Sequence, residues 1–181
     1  MVRADVPLLN FFYDKMDRES IYRRYRNQRP GGKINGAVGL DISALDKNHN
    51  LHLSILAVDG SDTIAGKADY AIIGGDNLLE YTKFINSSKI FKDKAQDIKI
   101  ADIAYLVLSE YRGLKYGISD ALVCELMKHA KENGFDYLSA MIDFNNGAAR
   151  KLLKRVVDNC SLDIQMDSVM DLPDIIYFVR L

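Results

Sequence analysis

Two common phosphate-binding signatures are missing from this chain. No Gly-x-x-x-x-Gly-Lys-Ser/Thr run occurs, which excludes a P-loop nucleotide site, and no Gly-x-Gly-x-x-Gly run, which excludes the dinucleotide fingerprint. Neither sign of charge is in excess. The 24 Lys and Arg residues stand against 25 Asp and Glu, a net of −1, so global charge gives no drive toward nucleic acid or a membrane. Cysteine is scarce: Cys124 and Cys160 have neither metal-ligand spacing nor a partner motif, and a reduced cytoplasmic protein is the expectation. His49, His52 and His129 are scattered, with no Asp or Cys at triad or metal spacing, so no metal is expected. Leader pattern, apolar run of spanning length, repeat and low-complexity tract are all lacking. What is present is 181 residues, 48% hydrophobic, enough for a single domain over residues 1–181 with its own core.

The chain is organised around Ile100 to Ser119. It opens as an apolar, β-branched run fit for a buried strand and breaks between Ser109 and Gly117. It resumes at Ile118 with helical spacing through Ala121, Leu122, Leu126, Met127 and Ala130. Strand, glycine-bearing turn and helix together aim backbone N–H groups at an anion, and the helix dipole adds about half a positive charge there. Gly113 and Gly117 permit positive φ or close approach of a ligand to the backbone. Arg112, Lys115 and the amides of Tyr116 to Ser119 would together suit a pyrophosphate.

Ahead of this stretch, Asp5 to Met16 reads as a helix with Asp5 as N-cap, Pro7 in its first turn, and Leu8, Leu9, Phe12 and Met16 as its buried stripe. Asp17 starts a second short helix, followed by a basic cluster from Arg23 to Lys33. Leu51 to Gly60 and Thr63 to Ile73 read as a hairpin turning at Asp59-Gly60. The lysine-rich stretch from Gly74 to Ile98, with a helical hint at Leu78 to Ile85, reads as a surface excursion. After the helix, Gly134 closes as a C′ residue, and Phe135 to Asp143 is a strand. Asn145 or Asn146 caps a helix bearing Ala148, Ala149, Leu152, Leu153 and Val156. Two strands follow, at about Ser161 to Val169 and Ile175 to Leu181. The expected class is mixed α/β (α+β) on a largely antiparallel sheet.

Arg112-Gly-Leu-Lys-Tyr-Gly117 resembles the Arg/Gln-x-x-Gly-x-Gly/Ala coenzyme A loop of the GNAT N-acetyltransferases, with Lys115 where the family's middle glycine usually sits. Phe144-Asn-Asn-Gly-Ala-Ala-Arg-Lys-Leu-Leu153 resembles the family's Asn-x-x-Ala-x-x-Leu helix, with Asn146 and Ala149 in register. Phe11-Phe12 with Glu19-Ser-Ile-Tyr-Arg-Arg-Tyr25, and Ala101-Asp-Ile-Ala-Tyr-Leu-Val107, resemble segments of Pat-type protein lysine acetyltransferases. The resemblance implies a sheet of about six to seven strands with helices on both faces, splayed between the family's fourth and fifth strands. It implies acetyl-CoA as co-substrate, no metal, and a primary amine acceptor, most plausibly a protein lysine. Two departures accompany it. Leu153 stands where many members carry a general-acid tyrosine, and Val157-Asp158 replaces the usual Gly-Phe.

Transfer from a thioester to an amine needs a held acyl carrier, a proton acceptor and polarisation of the carbonyl. Asp102 is the candidate base. It shares a strand face with Ala104, Leu106 and Leu108 in a run otherwise fit for burial, and the resemblance puts the Pat-type base glutamate at this position. A structural partner to a nearby cation is the other reading of Asp102, and Glu110 and Asp143 are alternatives. The resemblance gives the backbones of Leu106, Val107 and Leu108 to the pantetheine amides, as an added strand would pair. It gives the loop Arg112, Gly113, Leu114, Lys115, Tyr116, Gly117 and Ile118 to the pyrophosphate, with Asn146 as a further contact. The resulting expectation is a cytoplasmic acetyl-CoA-dependent N-acetyltransferase working by direct ternary-complex transfer. Its rival is a non-catalytic domain that binds acyl-CoA as a sensor, which Leu153 and the Asp-for-Glu change favour.

Overall fold

Turn chemistry and two hydrophobic periods lay out the elements. The computed structural model describes residues 6–20, 52–73, 76–91, 98–113, 115–160 and 164–181. The expected cap Asp5, the Arg23 to Lys33 cluster, the Gly36 to Asn50 stretch, His49 and Leu114 lie outside them. Among the described residues six strands form one mostly antiparallel sheet in the order β1-β2-β3-β4-β6-β5. By contact the chain divides into two compact units, Met1–Asp69 with Ala104–Leu122, and Tyr70–Ile103 with Val123–Leu181.

In the first unit, α1 (Val6–Lys15) buries Leu9, Phe12, Tyr13 and Met16 against Ile64, Leu106 and Leu108. Spacings of three, four and seven keep these side chains on one stripe. Leu8 was expected in that stripe and is instead 41% exposed. At about 100° per residue it falls beyond Phe12, and Tyr13 closes the other edge. Asp17 ends the segment by capping the helical turn at 18–20, where the Ser20 N–H donates to its Oδ1 at 2.9 Å. β1 (His52–Val58) and β2 (Ile64–Ile72) are joined by a turn built on Asp59. Its Oδ1 accepts from the N–H groups of Ser61 (2.9 Å) and Thr63 (3.0 Å), an Asx-type substitute for a backbone turn. β2 is buried from Ile64 through Tyr70 and holds the Lys67–Asp69 ion pair at 3.1 Å. A buried pair of this kind is satisfied rather than free, and removing one partner would strand the other's charge.

The second unit holds α2 (Asp76–Ser87), a 3₁₀ turn at Lys89–Phe91, β4 (Tyr137–Asp143), α4 (Gly147–Asn159), β5 (Gln165–Asp171) and β6 (Asp174–Arg180). Its core gathers Ile73, Phe84, Phe91, Ile100, Tyr137, Ile176 and Phe178. Phe91 meets the Phe178 ring edge-on at 4.9 Å between centroids. The described part of the Gly74 to Ile98 segment, 76–91, is therefore no surface excursion. It carries two buried rings, and its lysines mask the apolar spacing of Tyr81, Phe84 and Phe91 in the composition. β4 pairs antiparallel with β6 from Tyr137↔Arg180 to Asp143↔Asp174, and β6 with β5 from Arg180↔Gln165 to Asp174↔Asp171. β4 begins two residues later than the sequence indicates, because Phe135 leaves the strand path and packs edge-on against Tyr70 at 5.2 Å. Met141 is 47% exposed on β4.

Three elements, β2, β3 (Ile100–Val107) and α3 (Ile118–Glu132), contribute residues to both units. α3 buries Leu122, Val123, Leu126, Met127 and Ala130, while Ala121, expected on the apolar face, is exposed. Gly134 closes it at φ +74°, with the Phe135 N–H donating to the Ala130 carbonyl at 3.0 Å, the expected C-terminal geometry. β3 and β4, the expected fourth and fifth strands, are parallel, with partners Ile100↔Tyr137, Ala101↔Leu138 and Asp102↔Ser139. That register stops at Asp102, although β3 continues to Val107 and β4 to Asp143.

Candidate functional site

Past Val107 the chain leaves the strand through a 3₁₀ turn, Ser109–Tyr111, and Arg112 is extended at φ −75°, ψ 153°. Gly113 and Gly117 then take φ values of +106° and +65°, a left-handed region that favours glycine, with asparagine tolerated at the second. The Ala121 N–H donates to the Gly117 carbonyl at 2.9 Å, which makes Gly117 the N-cap of α3. The N–H groups of Ile118 and Ser119 therefore have no acceptor within the helix and stand at its positive end. This is the strand–loop–helix anion geometry read from the sequence.

Two ties within the first unit fix the loop. The Tyr111 hydroxyl donates to Asp59 Oδ2 and so fastens the 3₁₀ turn to the β1–β2 turn. That bond, with those from Ser61 and Thr63, holds the Asp59 carboxyl well below the usual carboxylate range, while Asp59 pushes the Tyr111 phenol up. Tyr111 also meets Tyr116 edge-on at 5.8 Å. The second tie is Arg112. Its Nε donates to the Val107 carbonyl at 2.8 Å, and one terminal nitrogen reaches Asp17 Oδ2 at 2.5 Å and Ser20 Oγ at 2.9 Å. Partial burial alone would raise Asp17, but the Ser20 N–H, the Arg112 guanidinium and the Ser20 hydroxyl hold its carboxyl below the ordinary value. Arg112 thus binds protein groups and positions the loop. Lys115 is exposed, with its ammonium over the Tyr116 ring at 4.7 Å, and remains a cation that an incoming anion can meet.

Gly66, which the sequence did not single out, seats the first turn of α3. A Cβ there would meet Leu122 Cδ1 at 2.9 Å and the methyls of Ile118 and Val107 at 3.1 Å each. Only glycine lets the helix start lie this close to β2.

Of the β3 backbone groups expected to serve a ligand, Leu108 is already engaged, because its N–H donates to the Ala65 carbonyl at 3.0 Å. Alternation along a strand then directs the N–H of Val107 away from β2 and leaves it as the better donor. The Leu106 and Val107 side chains are buried.

Asp102 lies in the second unit and is half-buried. Its Oδ1 accepts from the Ser139 hydroxyl at 2.6 Å and from the Tyr81 hydroxyl at 3.3 Å. Ser139 is its register partner on β4 and is fully buried. Tyr81 comes from α2, where its ring packs edge-on against Phe84 and Phe178. These two hydroxyl donors orient the carboxylate, and neither Tyr81 nor Ser139 was identified from the sequence. The alternatives have structural engagements. Glu110 lies 3.8 Å from Lys15, and Asp143 Oδ1 accepts from the Asn145 N–H at 2.7 Å at the start of α4. Asn146 is the N-cap of α4, its side-chain oxygen accepting from the Ala149 N–H at 3.2 Å. Leu153 is buried on the apolar side of α4 with Ala149, Leu152 and Val156.

Among the described residues no group of three or more His, Cys, Asp or Glu could hold a metal ion, and no helix is long and apolar enough to cross a membrane. No family model and no curated protein sequence matches the chain. The fold does match solved structures. The GNAT domain of the S. lividans PAT protein superposes with a TM-score of 0.71 at 17% identity, over 100% of this chain and 88% of that one. The ribosomal-protein-S5-alanine acetyltransferase of Vibrio fischeri gives 0.63 at 16% identity, covering 100% and 90%. An aminoglycoside acetyltransferase, AAC(6')-Ib, crystallised in complex with coenzyme A, gives 0.62 at 14% identity, covering 99% and 91%. The chain shares the GNAT fold with these proteins.

Proposed function

We propose that this chain is an acetyl-CoA-dependent N-acetyltransferase that moves an acetyl group to a primary amine, a protein lysine, by direct transfer in a ternary complex in the cytoplasm. The observation that carries the reading is the loop ahead of α3, with Gly113 and Gly117 at positive φ and the N–H groups of Ile118 and Ser119 at the helix start. It occurs in a fold shared with an acetyltransferase crystallised with coenzyme A. In this reading the pyrophosphate meets the N–H groups of Ile118 and Ser119, with Lys115 adding a cation and Arg112 holding the loop against Asp17. The Val107 N–H donates to the thioester oxygen, where negative charge grows as the amine attacks. Asp102, oriented by Ser139 and Tyr81, takes the proton of the acceptor ammonium directly or through a water. The amine nitrogen then bonds to the acetyl carbon, the carbon–sulfur bond breaks, and coenzyme A leaves as the thiolate; the nitrogen gives up its second proton to water as the amide forms, and the thiolate is protonated from solvent.

A second reading, a domain that binds acyl-CoA without transferring it, is favoured by one observation. Leu153 packs in the core where many family members carry an acid, so α4 offers no hydroxyl at that position. Thiol release from acetyl-CoA separates the two, measured across lysine peptides, peptides with amino-terminal alanine, spermidine and an aminoglycoside. The proposal expects amine-dependent release, fastest with lysine peptides. Release with another amine class alone would overturn the lysine assignment. Acetyl-CoA binding with no release on any amine would establish the sensor.

A further inference from the structure

The two cysteines, 36 residues apart in sequence, are brought into contact. Cys124 sits in the second turn of α3, and Cys160 is the C-cap residue of α4, at φ −70° and ψ 134° with its N–H on the Val156 carbonyl at 2.8 Å. Their sulfurs are 3.4 Å apart, both thiols are free, and both side chains are half-buried. We propose that Cys124 and Cys160 form a reversible intramolecular disulfide, a redox modification site whose oxidant is a small-molecule disulfide of the glutathione class. The inference is independent of the transfer reaction.

Geometry carries it. A disulfide bond is about 2.05 Å long, so the sulfurs must approach by roughly 1.3–1.4 Å. Cys124 is held on a helix whose buried face is fixed by Val123 and Met127. Cys160 lies just past the last residue of α4, where the backbone is already extended, and this end can supply the movement. Burial pushes the Cys124 thiol up, the Cys160 sulfur reinforces this, and Lys128 opposes it from the exposed side of α3, where it pairs with Glu125 at 2.7 Å. Cys124 therefore rests as the thiol.

The chemistry balances as exchange. A thiolate of the pair attacks one sulfur of glutathione disulfide; its sulfur–sulfur bond breaks, and one glutathione thiolate departs with the electron pair. The other cysteine gives up its proton and attacks the protein sulfur of the mixed disulfide, which expels the second glutathione. The protein loses two protons and two electrons, and the oxidant becomes two thiols. The product staples α3 to the end of α4 and closes a loop of about 36 residues. Chain-entropy reasoning expects this to favour the folded state by roughly 10²–10³-fold, with a rise in melting temperature on the order of 10 °C.

The test is incubation of the whole chain in glutathione buffers of increasing oxidation, followed by thiol titration, intact mass and peptide mapping. The proposal expects a monomer lighter by two hydrogens, a peptide linking Cys124 to Cys160, reversal by dithiothreitol, and a higher melting temperature than the reduced chain. Cys124→Ser and Cys160→Ser should each instead accumulate a stable mixed disulfide with glutathione on the remaining cysteine. If a serine variant fails to fold, the oxidised and reduced wild-type melts carry the same comparison. Two thiols that stay free in buffers that oxidise a control dithiol would overturn the proposal. So would mixed disulfides on wild type that never close, or a disulfide between two chains.

Discussion

Substituting Gly66 by alanine tests whether packing beneath α3 sets the anion site. The added Cβ would lie 2.9 Å from Leu122 Cδ1 and 3.1 Å from methyls of Ile118 and Val107. Leu122 can rotate its terminal methyl, but Ile118 and Val107 are β-branched and stiff at χ1, so the helix start must give instead. Overpacking of this kind costs about 1–3 kcal/mol, and replacing a strand glycine returns about 0.5–1 kcal/mol. Subtracting one range from the other leaves about 0–2.5 kcal/mol, so a destabilisation of about 1 kcal/mol is expected, a fall in melting temperature of roughly 2–4 °C for a chain of this size. Ile118 is also the first residue of α3, so its shift moves the N–H groups that face the anion. Acetyl-CoA affinity should fall roughly tenfold, equivalent to about 1.4 kcal/mol. Thermal melts and calorimetric titration of Gly66→Ala read the two effects together. Gly60→Ala is the control, because a Cβ on that turn meets nothing within 4 Å. An unchanged melt would refute the packing argument. A lowered melt with unchanged affinity would refute the link from β2 to the site.

Three further outcomes are expected. Gly117→Ala places an L-residue at φ +65°, a conformation costing about 1–2 kcal/mol, so its melt should fall even without ligand. Gly117→Asn tolerates that conformation and should lose acetyl-CoA affinity with little loss of stability, as the two melts and titrations would show. Asp102→Asn should lower turnover 10²–10⁴-fold, about 3–5 kcal/mol of barrier, at unchanged acetyl-CoA affinity; a loss proportional only to folded protein would make Asp102 structural. The Asp59–Tyr111 bond combines a depressed carboxyl with a raised phenol. Its contribution should be present between about pH 4 and pH 10, fade below pH 4 as Asp59 protonates, and fade above pH 10 as Tyr111 ionises. Denaturation of wild type and Tyr111→Phe from well below pH 4 to above pH 10 should show a difference that is full inside that window and shrinks progressively outside it on both sides.

The sequence made the order of elements legible because each carries its own local signal. Asp59-Gly60 turns a hairpin, Gly134 closes a helix at positive φ, and Asn146 caps one through Ala149. The Ile100 to Ser119 stretch likewise announced a strand, a glycine loop and a helix, and the loop conformation follows. What stayed hidden is what depends on distant partners. Arg112 looked like a ligand for phosphate because its neighbours in sequence are a glycine loop, whereas Asp17 and Ser20 reach it from more than ninety residues away. Tyr81 and Ser139 meet at Asp102 from a helix more than twenty residues earlier and from a neighbouring strand. Gly66 carries no turn signal, since its constraint is steric and comes from α3. Cys124 and Cys160 had no motif to join them, and only the packing of α3 against the end of α4 brings them into contact.

The central claim, that the loop ahead of α3 holds acetyl-CoA, is tested most directly by calorimetric titration of acetyl-CoA into wild type and Gly117→Asn. The account predicts saturable one-to-one binding that weakens with salt and is lost or greatly reduced in the variant. No binding heat with wild type, or equal affinity for the two proteins, would contradict it.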